Sequence, residues 1–355
     1  MRVRAIVTAA VAMGVVGGMV SVEASRPRVS LAAAKPRLNP MVDLLAAKKP
    51  VFGLYVPSNP RGGGGGRAGA AAAAPTTPPP APKTPAELAK MALAAPSDFI
   101  FDGSMEGGVD RGLPAFTTML GALWDNGLLV KTPSAHLSHS IVVKMQEIGT
   151  DYAKATDAIS KQLDAGVTTI MFVGMESAAE VTAGLKAMRY ANKGGSRPDS
   201  VGNAPKIWGL SDADYKKKAD LWPLNKDGEL VNWTIVESKE GLAHVREIAA
   251  VKGIGVLWPG AGTLRGVFSD PKIGADGKQE IGPNGRGVTV FNQEAWEKAI
   301  QQVLSACKEF NVPCGYPSNT AEDMEMRYKQ GFRVFVGGWG DAGTKMVERG
   351  RELRK

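Results

Sequence analysis

The chain has 355 residues and a formal net charge of +8 at pH 7, from 43 Lys and Arg against 35 Asp and Glu. Residues 1–90 hold twelve of the bases and three of the acids, a balance of +9 that leaves −1 for residues 91–355. Because that larger part is nearly neutral and has no basic patch, base-stacking motif or zinc spacing, we expect no nucleic-acid partner.

The first 24 residues have the pattern of a secretory signal peptide. Basic residues in Met1-Arg-Val-Arg4 precede a weakly apolar, glycine-containing run to Val20, and Val22-Glu-Ala24 places small residues ahead of Ser25. The apolar run is too short for a comfortable membrane span. We therefore expect export to the periplasm or the exterior and no stable membrane span after processing, with an uncleaved anchor as the alternative.

Cysteine is scarce, with only Cys307 and Cys314 in the chain. The first falls late in a predicted helix and the second on the next predicted strand. We expect two free buried thiols rather than a disulfide, even though an exported protein meets oxidising conditions.

Residues 25–48 form an N-terminal leader with a short predicted helix between Leu31 and Lys49, and residues 49–56 follow as the first strand. Residues 59–83 are a Gly-, Ala- and Pro-rich segment that cannot bury a core. Thr84-Pro-Ala-Glu87 then has a cap, a first-turn proline and a capping-box acid, which indicate a helix start. The low-complexity segment is therefore an insertion between a strand and its helix.

Strands and helices then alternate to the end of the chain. Apolar, β-branched runs predict the later strands at 97–102, 140–144, 167–173, 232–237, 254–258, 312–316 and 332–337. Helical periodicity predicts helices ending at Trp124 and over 151–165, 178–190, 238–251, 292–310, 321–330 and 342–354, with a glycine-rich hairpin over 268–288. The alternation predicts an α/β protein in which residues 49–355 form a closed (β/α)8 TIM barrel; an open doubly wound sheet is the alternative.

One predicted unit carries a well-placed acid. A strand ends on Glu237, Ser238 caps the next helix, and the following strand runs into the glycine loop Pro259–Leu264. In barrels, ligands bind beyond the carboxyl ends of the strands. We expect Glu237 and the amides of Gly260–Thr263 to face one cavity.

Other polar residues fall at the predicted strand ends. They include Tyr55, Ser58, Asp102, Ser104, Glu106, Lys144, Glu147, Glu176, Tyr316, Ser318, Asn319 and Trp339. Carboxylates can hold a hard divalent cation, and N–H groups of a glycine loop can bind a carboxylate or phosphate.

Several of these segments, in this order and spacing, resemble the HpcH/HpaI aldolase and citrate lyase family. The resemblance covers about Lys49 to Lys355 apart from the insertion. The segments are Asp98-Phe-Ile-Phe-Asp-Gly-Ser-Met-Glu106, Ile141-Val-Val-Lys144, Leu163-Asp-Ala-Gly-Val-Thr-Thr-Ile-Met171, Ile207-Trp-Gly-Leu-Ser-Asp-Ala-Asp-Tyr215, Ala219-Asp-Leu-Trp-Pro-Leu224, Ile235-Val-Glu237 and Gly253-Ile-Gly-Val-Leu-Trp-Pro-Gly-Ala-Gly-Thr-Leu264.

The resemblance implies a phosphoenolpyruvate/pyruvate-type barrel and a metal-dependent, class II pyruvate aldolase. In that family a Glu and an Asp at adjacent strand ends hold Mg²⁺, Mn²⁺ or a similar ion that chelates a 2-oxo acid. An Arg stabilises the enolate, a His near the second strand handles protons, and amides of the glycine loop take the substrate carboxylate. Positive charge near the developing enolate oxygen is where it has most effect.

This sequence matches the family pattern only in part. Glu237 fits the metal-binding Glu, whereas Thr263 stands at the position of the Asp. Lys144 stands at the Arg position, which keeps the charge but loses the two-pronged geometry. Gly107 stands where the family has His, and Ile235 replaces a Gln.

We therefore expect a divergent carbon–carbon lyase that acts on a 2-oxo acid, such as a 4-hydroxy-2-oxo acid, and releases an aldehyde. Lys144 and Glu106 are the catalytic candidates, Gly260, Gly262 and Thr263 bind substrate, and Glu237 holds Mg²⁺, Mn²⁺ or Co²⁺. A catalytically altered or inactive barrel that binds a small carboxylate without metal is the alternative. The resemblance also implies a homo-oligomer.

Simpler roles compete for several of these residues. Glu237 can form an ion pair at the barrel rim, Glu106 can be a solvated loop acid, and Lys144 can pair with Glu147 or Glu176. A Schiff-base role for Lys144 has no support from the resemblance.

Histidines and aromatics have their own predictions. We expect His136 and His139 to be surface residues at the barrel bottom and His244 to be structural. The aromatic residues of the excursion before the fifth strand are expected to be core or interface anchors, with this excursion in the oligomer contact; they are Trp208, Tyr215 and Trp222.

Overall fold

A computed structural model describes residues 36–59, 81–149 and 151–355. The signal peptide expected over residues 1–24, the first part of the leader and most of the low-complexity insertion lie outside these described residues. Among the helices of the described ranges, none is long and apolar enough to span a membrane.

Eight parallel strands form the centre of the molecule. Each pairs in parallel with its neighbour, in the order β7-β8-β1-β2-β3-β4-β5-β6. Their bounds are β1 Val51–Tyr55, β2 Phe99–Asp102, β3 Ser140–Lys144, β4 Thr169–Phe172, β5 Leu230–Val236, β6 Val256–Pro259, β7 Gly315–Pro317 and β8 Val334–Gly337.

The two ends of this sheet meet. Leu257 in β6 forms a parallel bridge with Cys314, the residue before β7, and its N–H donates to the carbonyl of Pro313 at 2.9 Å. An open doubly wound sheet lacks such a link between its edge strands. The predicted α/β class and the TIM-barrel-like arrangement are confirmed.

Thirteen helices are present in the described residues, together with one 3₁₀ turn and five short strands. The helices are α1 Pro40–Ala46, α2 Pro85–Ala94, α3 Val109–Asp125, α4 Tyr152–Ala165, α5 Ala178–Ala187, α6 Ala204–Trp208, α7 Asp212–Lys218, α8 Lys239–Ala243, α9 Val245–Ala250, α10 Ala261–Val267, α11 Gln293–Phe310, α12 Ala321–Gln330 and α13 Asp341–Leu353. The 3₁₀ turn is Ala191–Lys193, and the short strands are Leu129–Val130, His136–Leu137, Leu221–Trp222, Ser269–Pro271 and Thr289–Phe291.

Large aromatic rings fill the barrel interior. The ring of Trp233 lies 5.1 Å from that of Phe99 and 4.8 Å from that of Trp258, centroid to centroid. Glycines on facing strands make room, because a Cβ at Gly53 would lie 2.3 Å from the Phe99 ring and a Cβ at Gly315 would lie 2.2 Å from the Trp258 ring. The interior is thus packed solid, and function belongs to its ends.

Helix α1 closes the N-terminal end of the barrel. Its Met41 and Leu45 are buried among the interior residues. Just before it, Arg37 pairs with the buried Glu229 at 3.1 Å, and the Asn39 N–H donates to the same carboxylate. The predicted helix in residues 31–49 is therefore present and docked.

The two edges of the low-complexity insertion are tied together. The Asn59 side chain donates to the carbonyl of Lys83 at 2.8 Å and accepts from the Lys83 N–H at 2.6 Å. Helix α2 then begins with the predicted capping box between Thr84 and Glu87.

The expectation of two free thiols is wrong, because Cys307 and Cys314 form a disulfide with their Cα atoms 5.6 Å apart. Helix α11 ends at Phe310, and Asn311 adopts a left-handed conformation (φ 53°) that turns the chain back. Helix and strand positions alone do not reveal this reversal, which brings the two side chains within bonding range.

Two further predictions differ from the structure. The helix predicted over 238–251 is two short helices, α8 and α9, which meet at His244, whose Nδ1 lies 3.0 Å from the carbonyl oxygen of Glu176. His139 is buried rather than exposed, with Nε2 3.4 Å from the carbonyl oxygen of Ala95. A short hairpin between Leu129 and Leu137, which the sequence did not indicate, comes just before it in the chain.

The excursion before β5 belongs to the core. Trp208 and Tyr215 are fully buried, with their rings 4.8 Å apart, and both donate to carbonyls at the C-terminal end of α4. Arg197 is buried against both Tyr190 and Tyr215. These two excursion aromatics are therefore inaccessible to an oligomer contact.

Candidate functional site

Glu237 lies at the mouth of the barrel, the end at which the strands terminate. Side chains on one face of a strand recur every second residue. Since Trp233 and Ile235 face the barrel interior, Glu237 continues the same row beyond the end of β5. Its Oε1 accepts the N–H of Gly174, which follows β4, at 2.9 Å.

The glycine loop after β6 touches this acid. A Cβ built on Gly260 would lie 2.3 Å from Cβ and 2.7 Å from Oε2 of Glu237. The Gly260 N–H donates to the Val236 carbonyl at 2.8 Å, which fixes the loop to the end of β5. The expected proximity of Glu237 and the Gly260 region is therefore present.

The rest of the loop is the first turn of α10. Gly262 and Thr263 are exposed there, and N–H groups in the first turn of a helix have no carbonyl partner within it. The turn therefore presents free amides directly after Gly260, the residue that is in contact with Glu237.

Lys144 and Glu106, the two catalytic candidates, form an ion pair. Lys144 Nζ lies 3.0 Å from Glu106 Oε1, with 17% of the lysine side chain and 46% of the glutamate side chain exposed. The alternative in which Lys144 pairs with Glu147 or Glu176 is wrong. Gln162 donates to the Lys144 carbonyl at 3.0 Å, which holds the end of β3 against α4.

Tyr55, at the end of β1, is a third member of this group. The phenol is crowded by surrounding protein although 39% of the residue is exposed. Burial raises the pKa of Tyr55, the nearby Lys144 ammonium lowers it, and the Glu106 carboxylate adds to the rise. Tyr55 is on the same face of β1 as Val51 and Gly53, which face the barrel interior. This alternation in the sequence could have identified it as a candidate site residue.

Arg111 is the residue that the sequence analysis missed. A Cβ at Gly107 would lie 2.0 Å from Nη2 of Arg111, so the guanidinium fills the space that a side chain at 107 would take. In the resembling family that position is His. Arg111 is in the first turn of α3 and Gly107 precedes that helix, so no helical spacing in the sequence indicates the contact.

Other expected members lie at the edge of this group. Glu147 packs beside Gly174, 3.1 Å from where a Cβ would be, next to the amide that binds Glu237. The backbone N–H of Glu176 donates to the Glu180 side chain, next to the capping box of α5.

The strand end at β7 points elsewhere. Tyr316 is buried outside the barrel with the Arg327 guanidinium 4.5 Å from its ring centre, and burial raises the pKa of its phenol to about 12. The Ser318 hydroxyl bonds Asp323. His136 and His139 precede β3 in the chain and therefore lie at the end of the barrel opposite to the mouth.

The donor set at the mouth does not fit the two-carboxylate metal site of the resembling family. One oxygen of Glu237 is engaged by Gly174, and Thr263 offers a neutral hydroxyl where that site needs a charged oxygen. Within residues 36–59, 81–149 and 151–355, no group of three or more His, Cys, Asp or Glu side chains is placed to hold a metal ion. The expected role of Glu237 as a metal ligand stays a prediction.

The sequence matches no protein-family model and no curated protein. Solved structures do match its fold. A HpcH/HpaI aldolase/citrate lyase family protein from Burkholderia cenocepacia J2315 has a TM-score of 0.58 at 19% identity, over 89% of this chain and 100% of that one. The HpcH/HpaI aldolase of Desulfitobacterium hafniense DCB-2 gives 0.54 at 15% identity over 88% and 94%.

Macrophomate synthase is similar to the same degree, with a TM-score of 0.55 at 17% identity over 90% of this chain and 88% of that one. The predicted resemblance is thereby confirmed at the level of the fold. The chain is an α/β barrel of the kind found in HpcH/HpaI aldolase proteins, with charged residues gathered at its mouth.

Proposed function

We propose that this protein is a carbon–carbon lyase of the HpcH/HpaI type that acts on a 2-oxo acid. The observation that carries the proposal is the contact between Glu237 and the Gly260 turn, at the barrel end that also holds the Lys144–Glu106 pair. A carboxylate, a lysine, free amides and a phenol at one mouth suit an anionic substrate on which negative charge develops.

The Gly260–Thr263 amides would take the carboxylate of a 4-hydroxy-2-oxo acid, and the Lys144 ammonium would face the C2 oxygen. Glu106 would remove the proton of the C4 hydroxyl. As the C3–C4 bond breaks, an aldehyde forms and the electron pair passes to the C2 oxygen as an enolate, which Lys144 stabilises. Return of the proton from Glu106 to C3 gives pyruvate. A lysine opposes the charge without the two-pronged geometry of an arginine.

A coupled assay for pyruvate tests this proposal. The full-length chain is incubated with a 4-hydroxy-2-oxo acid or oxaloacetate, either with Mg²⁺, Mn²⁺ or Co²⁺ or with EDTA. Removing preorganised charge at an enolate costs about 100-fold or more in kcat/KM, so Lys144→Met and Glu106→Gln should each show such a loss, and Lys144→Arg a smaller one.

Lys161→Met is the matched control, because it also removes a lysine from an ion pair, but one on the surface and outside the site. Lys161 Nζ lies 2.8 Å from Asp110 Oδ1. This variant should retain full activity. The absence of pyruvate under every metal condition, or full activity in both Lys144→Met and Glu106→Gln, would reject the lyase.

A second candidate function is favoured by the donor set alone. A barrel with Thr263 in place of an acid suits a small carboxylate bound without metal, by the loop amides and Lys144. Calorimetry with pyruvate separates the candidates: binding that survives EDTA, with no turnover of any 2-oxo acid, favours the binding protein. Binding that requires a divalent ion favours the lyase with a metal at Glu237.

Export and homo-oligomer formation are also proposed. The N-terminal sequence supports export after removal of residues 1–24, and intact-mass measurement of protein secreted from its host tests it. Sedimentation equilibrium of the purified chain tests for an oligomer.

A further inference from the structure

A cavity of about 570 Å³ lies at the end of the barrel opposite to Glu237. Its lining includes residues that lie one or two positions before four strands, Lys49, Ile254, Cys314 and Arg333, together with the C-terminal end of α1. The volume is within the usual range for small-molecule sites. None of the residues assigned to the mouth contributes to it, so it is a separate place on the molecule.

The charge around this cavity has one sign. Lys48, Lys49, Lys252, Lys308 and Arg333 line it, and its lining contains no Asp or Glu. Within the part of the chain that the structure describes, none of the four lysines forms a salt bridge. Arg333 donates to the carbonyls of Tyr328 and Phe332, so its cation is held in place. Uncompensated cations around a concavity attract an anion.

The walls between these cations are apolar. They are formed by Leu45, Trp222, Leu304, Phe310 and Val312. An inorganic phosphate or sulfate would leave this surface wet, whereas a ligand with a hydrocarbon part would cover it. The lining therefore suits an amphipathic anion.

The cavity is held in shape by its surroundings. The Cys307–Cys314 disulfide joins α11 to the start of β7 in its wall, and Arg37 and Asn39 anchor α1 to the buried Glu229. A preformed site binds with a smaller ordering cost. The N-terminal residues 1–35 do not complement the charge of the cavity, because they hold five bases and one acid.

We propose that this cavity binds an apolar monocarboxylic acid, with its hydrocarbon part against the Trp222 and Phe310 walls and its carboxylate among the lysines. The site is independent of the lyase proposal. The barrel would then have two sites, the candidate active site at its mouth and an organic-acid site at the opposite end.

Isothermal titration of the full-length chain with decanoate tests the proposal. We expect saturable binding of one decanoate per chain. Decanol, which lacks the charge, should bind at least about tenfold more weakly. Decyltrimethylammonium, which has the opposite charge, should not bind. Equal affinity for decanol and decanoate would overturn the proposal, as would the absence of saturable decanoate binding.

Variants locate the site. Lys252→Met with Lys308→Met keeps the apolar stems and should lower decanoate affinity about tenfold or more. Lys90→Met with Lys345→Met removes two exposed lysines outside the lining and should leave the affinity within about twofold. Both double variants are compared by thermal unfolding to establish that they are folded. Unchanged affinity in the folded Lys252→Met/Lys308→Met protein would refute the assignment.

Discussion

Glu237 and Gly260 are in contact at the mouth of the barrel, and the absence of a side chain at 260 is what allows it. A Cβ there would lie 2.3 Å from the Glu237 Cβ. Gly260→Ala should therefore displace the acid and lower the free energy of unfolding by about 1–3 kcal/mol. Urea denaturation measures the loss, and the pyruvate assay should show reduced activity in the same variant.

Gly262→Ala is the matched control two residues later. A Cβ at 262 would meet nothing within 4 Å, and position 262 is in the first turn of α10. This variant should equal the parent protein or exceed its stability by about 0.5–1 kcal/mol. Equal effects of the two substitutions would contradict the crowding at Gly260.

The barrel interior offers a test by size compensation. A Cβ at Gly53 would lie 2.3 Å from the Phe99 ring. Gly53→Ala should destabilise the protein by about 1–3 kcal/mol, because a packed core resists added volume. The double variant Gly53→Ala/Phe99→Leu should recover part of that loss, a coupling measurable in a double-mutant cycle.

Gly121→Ala is the control for this cycle, since a Cβ there would have no neighbour within 4 Å on helix α3. It should stabilise the protein by about 0.5–1 kcal/mol. Additive effects of the Gly53 and Phe99 substitutions would show that the glycine is not there to accommodate the ring.

His139 should make stability fall on mild acidification. Burial lowers the pKa of its imidazole below the ordinary value, so the folded state favours the neutral ring. Its contribution is complete above the unfolded pKa of about 6.5 and is lost as the pH falls through the lowered folded pKa, because only the unfolded chain then takes the proton. His139→Gln should flatten the dependence of unfolding free energy on pH between about 7.5 and 5.

His136 lies three residues earlier and is partly exposed, which makes His136→Gln the reference. Its pH dependence should follow that of the parent. A His139→Gln protein with the parent's pH slope would show that another group controls acid sensitivity.

The disulfide should contribute measurably to stability. Cys307 and Cys314 are seven residues apart, and closing so short a loop restricts the unfolded chain by about 2–3 kcal/mol. Adding a reductant should lower the urea midpoint of the parent protein. Because the chain has only two cysteines, Cys307→Ala/Cys314→Ala should show no response to reductant. A parent protein equally stable with and without reductant would argue against the bond.

Local sequence signals sufficed for most elements of the fold. The alternation of apolar strands and helices placed all eight barrel strands, because each element has its own periodicity and caps, as in the Thr84–Glu87 box. The helix break at His244 was missed because it depends on a contact with the distant Glu176 carbonyl. The disulfide was missed for a similar reason, since the turn at Asn311 decides it.

The site followed the same division. Glu237, Gly260 and Lys144 were placed at the mouth by their phase at strand ends, which is local information. Glu106, the partner of Lys144, and Gly107, which lies against the Arg111 guanidinium, belong to a loop whose course no periodicity specifies. Sequence thus predicted which end of the barrel carries the candidate site, and tertiary packing determined which of its residues meet.

The pair of hydrogen bonds between Asn59 and Lys83 has a practical consequence. Two hydrogen bonds join Asn59 to Lys83, 24 residues later, so the two edges of the low-complexity insertion are held together. Lengthening a surface loop costs little free energy, about 0.6 kcal/mol for each doubling of its length. A foreign domain could be grafted between these two anchors as a passenger, with the barrel serving as its carrier.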